Sequence, residues 1–294
     1  MAGPLFPVGQ DGILHAGWQP APVDVEGKHE SGLPTCPTGQ IAGDKITSGT
    51  SAAFDRIASR YDELWTHTVV GRFQREAVWR HIDSLFRNGA HIIDLGCGTG
   101  EDALHLAQAG VRVSAFDASP EMVRVSRGRG VDANVLAIEE LRSLTGQYDG
   151  AISNFGALNC VADPDELRLP LARLIRPGGH LAICIMGRFC LWETIYSLSR
   201  GQLRKASRRW GGVSGSASLG LSVSYPSVRR LRRALAPDFS LSKMSGIGVC
   251  VPPSYVSTLS PRLLARCDEV DRRIAHRRFF RAISDHRLLV FVRT

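Results

Sequence analysis

The spacing of apolar positions changes character along the chain. Between residues 51 and 87 it is helical: Phe54, Ile57, Ala58, Tyr61 and Trp65 recur at i, i+3, i+4 and predict a helix over 51–65. A second helix is expected from about Gly71 to Arg87. From residue 91 to 186, short apolar runs alternate with helical stretches. The runs 91–95, 111–116, 133–137, 148–155 and 180–186 read as buried strands, and 101–109 and 163–174 as helices between them. A further helix opens at Ser119-Pro120-Glu121, with serine as N-cap, proline in the first turn and an acid to complement the dipole. This alternation predicts an α/β fold, a parallel sheet with helices on both faces. A helix at 226–235, a strand near 239–251, an irregular helical piece at 254–281 and a last strand at 287–293 follow.

Composition narrows the class. The chain has 294 residues, 44% hydrophobic and 22% charged, enough for a large core and unlike a fibrous or wholly disordered protein. Its longest clean apolar run, residues 181–187, is far short of the roughly 20 needed to span a bilayer. No base precedes Lys28, and Asp11, Asp24, Glu26 and Glu30 argue against a transit peptide, so a cytoplasmic location is expected. Residues 1–50 hold 9 of the 30 glycines and 6 of the 15 prolines and read as a disordered or draping leader. The seven cysteines are odd in number with no CxxC pair, which argues against a disulfide framework or a metal site and for small buried hydrophobes.

The formal charge of +8 is regional. No acid occurs from Thr194 to Pro237, where nine of the 36 bases fall, leaving 27 bases against 28 acids elsewhere. A strip from Arg200 to Arg233 is a candidate surface for an anionic partner: substrate, acidic carrier, nucleic acid or lipid. Around Arg229, Arg230, Arg232 and Arg233 the apolar residues Val228, Leu231 and Leu235 have helical spacing, which accounts for those arginines as a solvated face. No such stripe accounts for Arg200, Arg204, Lys205, Arg208 and Arg209.

The candidate chemistry lies at 91–109: strand, acid, Gly96-Cys97-Gly98-Thr99-Gly100, helix. Glycines there let the chain turn off a strand and bring bare backbone to a ligand, and the helix start adds N–H groups aimed at it. Asp117, at the end of the second strand, is placed to accept from ribose hydroxyls. Dinucleotide sites use Gly-x-Gly-x-x-Gly and seat a pyrophosphate. Here the spacing is Gly-x-Gly-x-Gly, and Asp94 just before it would repel phosphate and attract an ammonium. Adenosine at one end and an amino acid at the other describes S-adenosylmethionine.

On these residues, with Tyr148-Asp149 before the fourth strand and Arg176-Pro177-Gly178-Gly179 before the fifth, the chain resembles the class I S-adenosylmethionine-dependent methyltransferases over about 51–251 and the final strand. The opening Phe54-Asp55-Arg56-Ile57-Ala58-Ser59-Arg60-Tyr61-Asp62 and Ser224-Tyr225-Pro226-Ser227 resemble the small-molecule, ubiquinone/menaquinone-biosynthesis type. The resemblance implies a doubly wound, mostly parallel seven-stranded sheet, a Rossmann-like methyltransferase fold over 51–294. Cap insertions are expected at about 188–222 and 252–285. It implies cofactor contacts at Tyr61, Asp94, Gly96, Cys97, Gly98, Gly100, Asp117, Ala118, Ile138, Glu139 and Asn154. Asp94 and the backbone of Gly96 and Gly98 would face the methionyl part, Asp117 the ribose, Asn154 the sulfonium through its backbone, and Tyr61 would close over the top. Adenine would fall at Ala137-Ile138-Glu139, where relatives carry an aspartate in place of Ala137, so Glu139 or water would have to substitute.

No catalytic residue is fixed by pattern. His67, His180, His276 and His286 are candidates for a general base, should the acceptor carry a proton. Phe189, Trp192, Tyr196 and Trp210 are candidate walls for an acceptor. The stretch Ser153-Asn154-Phe155-Gly156 lacks the Asn/Asp-Pro-Pro-aromatic sequence of enzymes that methylate amino groups of bases, which disfavours nucleic acid. The expected activity is methylation of a small-molecule or lipid-like acceptor at oxygen or carbon. The alternatives are an RNA or carrier-bound substrate held by the 200–233 strip, and a cofactor-binding adaptor that transfers nothing.

Overall fold

Strands and helices alternate as expected in the computed structural model, which describes residues 51–216, 221–256 and 259–294. The leader expected over 1–50, with Cys36, lies outside the described residues. Seven strands form the main sheet: β1 (His91–Leu95), β2 (Arg112–Asp117), β3 (Ala133–Val135), β4 (Tyr148–Ser153), β5 (Ile175–Met186), β8 (Phe239–Ile247) and β9 (His286–Arg293), with β6 (Val213–Ser216) and β7 (Leu221–Ser224) pairing apart as a hairpin. The order is β3-β2-β1-β4-β5-β9-β8, all parallel except β9, which runs antiparallel to both β5 and β8.

Why β1 lies inside the sheet is legible in its residues. Ile92, Ile93 and Leu95 are buried, so the strand reads as a continuous apolar run because both its faces are covered. Ile93 packs on the face that carries Leu171 and Leu174 of the helix Arg168–Leu174 and Leu231 and Leu235 of the helix Val228–Leu235. Ile92 packs on the other face, against Val78 and Ile82 of the helix Val69–Ile82 and Leu106 of the helix Glu101–Gln108. Two cores thus sandwich one sheet. Cys97 and Cys184 are buried within apolar clusters as small hydrophobes, and Cys190 is buried as well. Among the described residues no group of three or more metal-type ligands occurs, and no helix is long and apolar enough to cross a membrane.

Element boundaries differ from expectation where backbone chemistry intervenes. The first helix is not continuous: residues 51–55 are α-helical, Ala58–Arg60 form a 3₁₀ turn, and Asp62–Thr66 a π-helical turn. The second starts at Val69, capped by the Thr68 side chain accepting from Gly71 N–H, and stops at Ile82, five residues early. Strand β5 begins at Ile175, so Pro177-Gly178-Gly179 forms an irregularity within it. Gly178 holds φ +80°, which glycine alone adopts freely. The stretch 188–222 carries the helices Leu191–Ser199 and Leu203–Ser207 and the β6/β7 hairpin, and 252–285 carries Pro261–Ile274 and Arg278–Ile283.

Candidate functional site

At the carboxyl ends of β1, β2 and β4 the strand order reverses between β1 and β4, the place where doubly wound sheets open a crevice. The Gly96–Gly100 turn enters it from β1. Gly96, Gly98 and Gly100 all have positive φ. A Cβ on Gly96 would stand 2.3 Å from the Ala157 methyl, whereas one on Gly98 would meet nothing within 4 Å, so Gly98 faces open space. The N–H groups of Gly96 and Cys97 both donate to the Phe116 carbonyl, and Gly98 N–H donates to Asp117 Oδ2. These three N–H groups are therefore spent inside the fold. Gly100 N–H is spent as well, on the Cys97 carbonyl, so the three glycines present carbonyl oxygen and bare Cα to a ligand.

Asp94, on β1 just before the turn, is buried, and its Oδ2 has no hydrogen-bond partner among the described residues. Burial pushes its pKa well above the ordinary carboxylate value, nearby Asp102 adds to the rise, and Arg75 opposes it. An enclosed carboxylate with a spare oxygen is a socket for a cation. Asp117 accepts from Gly98 N–H at 2.8 Å and from Ser119 N–H at 2.9 Å, bonds that fix its carboxyl group and leave lone pairs for a further donor. At Asn154 the carbonyl accepts from Ala157 N–H at 3.4 Å and keeps a lone pair for a ligand. In its side chain, Oδ1 and Nδ2 are both buried without a partner among the described residues.

The next residue, Phe155, holds φ +48°, a left-handed conformation costly for a bulky side chain and worth of order 1 kcal/mol or more. Its ring packs edge-on against Trp65 at 4.5 Å and against His286 at 5.6 Å. Arg75 lies over both Trp65 and Phe155 and pairs with Asp102 at 2.6 Å, forming a buried floor of one cation, two rings and a carboxylate. Trp79 Nε1 donates to the same Asp102 at 2.7 Å. None of Arg75, Asp102, Trp65 or Phe155 was legible as a site residue, since each falls within an ordinary helical or strand pattern.

Over the crevice lies the irregular segment 51–66, held at two points. Asp55 accepts from the Ser119 hydroxyl and from Glu121 N–H, and Ser119 in turn caps its helix by accepting from Met122 N–H. Asp62 accepts from the Thr99 hydroxyl at 2.7 Å and pairs with Arg129, whose other nitrogen reaches Glu101. This places Tyr61 against Trp65 at a ring distance of 6.0 Å. Burial raises the Tyr61 pKa, Arg75 lowers it, and Asp62 and Asp117 add to the rise, so the phenol remains a donor at neutral pH. At the expected adenine end, Ile138 approaches Gly96, Glu139 is exposed, and Ala137 N–H donates to Glu140 Oε2. Ala118 is half-buried, its carbonyl accepting from the Ser51 hydroxyl.

The four candidate histidines separate cleanly. His67 and His276 are exposed, and His180 pairs with Gly150 at the amino end of the parallel strands, away from the crevice. Only His286 among the four sits at the crevice end, because β9 runs antiparallel and sets His286 opposite Met186. Its Nδ1 lies 3.3 Å from Asp285 Oδ2. Of the aromatic candidates, Trp192 Nε1 donates to the Val249 carbonyl, Tyr196 packs on Tyr255, and Phe189 leans on Trp210.

The basic strip divides in the same way. Arg209 is buried, reaching Glu193 Oε2 at 2.7 Å and Asp285 Oδ1 at 2.9 Å, and Arg208 donates to Glu193 Oε1 at 2.8 Å. Tyr255 donates its hydroxyl to Glu193 as well. Burial alone would raise the Glu193 pKa, but Arg209 and Arg208 reverse the sign and hold it below the ordinary carboxylate value. These two arginines neutralise interior acids. Arg200, Arg204, Arg229, Arg232 and Arg233 are exposed, and Arg230 meets Asp163 and Asp165 at the surface.

Known proteins share this fold. A family described as a methyltransferase domain matches residues 70–236. The ubiquinone biosynthesis O-methyltransferase of Xanthomonas oryzae pv. oryzae is 36% identical over 107 residues, covering 34% of this chain and 44% of that protein. The demethylmenaquinone methyltransferase of Paenarthrobacter aurescens is 29% identical over 161 residues, 52% of this chain and 62% of the relative. The chain thus spans from under half to about three fifths of these curated relatives. Among solved structures, an S-adenosylmethionine dependent methyltransferase from Mesorhizobium loti superposes with TM-score 0.53 at 20% identity, over 74% of this chain and 98% of the other. The geranyl diphosphate C-methyltransferase of Streptomyces coelicolor A3(2), solved with S-adenosyl-L-homocysteine, gives 0.51 at 16% identity, over 76% and 80%. These two likenesses establish the Rossmann-like fold.

Proposed function

This chain belongs to the methyltransferase-domain family, and we propose that it transfers the methyl group of S-adenosylmethionine to a small-molecule or lipid-like acceptor at oxygen or carbon. The observation that carries the reading is the unpartnered oxygen of buried Asp94 beside a turn whose three glycine N–H groups are already spent. That donor set fits a zwitterionic amino-acid tail: Asp94 would hold the ammonium, Asp117 the ribose hydroxyls, and the Asn154 side chain a polar edge of the ligand. The sulfonium supplies an already activated methyl group for in-line displacement. The residues of this chain have then to align an acceptor and exclude water, an effect worth up to about 7–11 kcal/mol of barrier. Tyr61, Trp65 and Phe155 supply the dry walls, and Asp55 and Asp62 hold the segment that carries Tyr61 and Trp65 in place. Where the acceptor must lose a proton, His286 is the group to take it, with the Asp285 carboxylate 3.3 Å away to balance its charge.

Quinone-biosynthesis enzymes among the relatives support a small-molecule acceptor. The test is transfer of radiolabelled methyl from S-adenosylmethionine into a cell extract that is split into solvent-extractable and nucleic-acid fractions. The expected result is label in the solvent-extractable fraction. Label confined to RNA would overturn the acceptor class, and label nowhere, with tight binding of S-adenosylhomocysteine, would make the protein an adaptor. Binding of NAD in preference to S-adenosylhomocysteine would overturn the cofactor.

A further inference from the structure

The helix Leu191–Ser199 is built inside out. Its buried positions are Glu193 and Ser197, one turn apart, while the apolar Ile195 and Leu198 point outward. Soluble helices place these classes the other way round, as the helix Val228–Leu235 does, with Leu231, Ala234 and Leu235 inside and its arginines outside. The inversion is stabilised from below, since Glu193 is held by Arg208, Arg209 and Tyr255. The outward apolar character continues through Leu203, Trp210 and Val213. These five side chains are 50–68% exposed, large for residues of their kind.

Charge within this segment has one sign. Arg200 and Arg204 are exposed next to it, and no acid occurs between Thr194 and Pro237. Arg200 stacks over Tyr196 at 4.6 Å, which keeps its guanidinium near the apolar residues. We propose that the outer face of 195–213 docks on an anionic lipid bilayer, inserting Ile195, Leu198, Leu203, Trp210 and Val213 among the acyl chains while Arg200 and Arg204 meet the headgroups. The chemistry distinguishes this occupant from others. A nucleic acid would find a phosphate track interrupted by aliphatic side chains, and a second copy of the same face would bring like charges together. A bilayer wants both features: apolar side chains to bury, a tryptophan at the boundary, and cations for acidic headgroups. Beneath the face, Glu193 joins Arg209, and Arg209 joins Asp285, the neighbour of His286. Docking would thus bring a bilayer against the helix whose buried Glu193 is linked through Arg209 and Asp285 to the His286 end of the crevice.

Vesicle binding requires no methyl transfer, so it stands or falls apart from the reaction. The experiment is co-sedimentation of the full chain with extruded vesicles of phosphatidylcholine alone or with phosphatidylglycerol added. Sedimentation with the anionic vesicles is expected, weakening as salt rises. L198E combined with L203E should lower partitioning by about tenfold or more, and R200E with R204E should remove the preference for phosphatidylglycerol. S-adenosylhomocysteine affinity, measured by calorimetry, should be unchanged in each. Should the double glutamate variant misfold, W210S serves instead and should lose the blue shift of fluorescence on vesicle addition. Absence of sedimentation, or sedimentation indifferent to these substitutions, would overturn the proposal. So would a dimer that the leucine variants dissociate, or capture of short RNA in place of vesicles.

Discussion

A carboxyl group enclosed as Asp94 is, with Asp102 nearby, favours its protonated form until a cation arrives. The sign of the pH dependence follows. With its pKa raised in the folded protein, the ligand-free native state binds more protons than the unfolded chain. Asp94 therefore subtracts stability as pH rises from the ordinary carboxylate range through its raised value. A bound ammonium requires the ionised form, so binding releases a proton. S-adenosylhomocysteine affinity should rise with pH through the Asp94 titration and lose that component in Asp94→Asn, which should also bind more weakly; parallel pH profiles by calorimetry would refute the role. At His286 the prediction concerns turnover. Replacing it by Asn should lower kcat about 100-fold or more for a proton-bearing acceptor, with S-adenosylhomocysteine binding intact. Equal loss of both would mark a packing residue.

Two elements are held in place by charged side chains. Asp62 joins the π-helical turn to Thr99 of the glycine loop and to Arg129, and Asp62→Ala should cost about 1.5–3 kcal/mol. The loss should appear both as a lower thermal midpoint and as weaker cofactor affinity. At Arg209 the effect should be larger: Arg209→Met leaves Glu193 and Asp285 buried without their shared cation, about 3–5 kcal/mol by thermal or denaturant unfolding. The contrast explains what a linear reading can see. Strands β1, β2, β4 and β5 were legible because both their faces meet apolar neighbours. The helix Leu191–Ser199 was not, since its inward partners are arginines 15 and 16 positions beyond Glu193, and periodicity assumes that inside means apolar. The same blind spot hid Arg75 and Asp102. Asp94, Asp117 and the glycines were visible since their chemistry is local. The spent N–H groups were not, because Phe116 and Asp117 reach them across the sheet.

On the scale of the molecule, the crevice lies between the segment 51–66 and the sheet, so a ligand there should stabilise the whole unit. At a hundred times its dissociation constant, S-adenosylhomocysteine should add about 2.7 kcal/mol and raise the thermal midpoint accordingly. Asp94→Ala at the same concentration should show a much smaller rise; an undiminished one would place the ligand elsewhere. The sheet itself is assembled out of sequence. Strand β9 sits between β5 and β8, and β8 touches the sheet through β9 alone. A chain interrupted before His286 would therefore forfeit two strands for the loss of one. It would also lay bare the Leu181–Met186 edge of β5, an apolar seam with unpaired amides that invites sticking to other chains. Proteolytic nicks in the stretch ahead of His286 should accordingly send the protein to the pellet rather than leave a soluble cofactor-binding half.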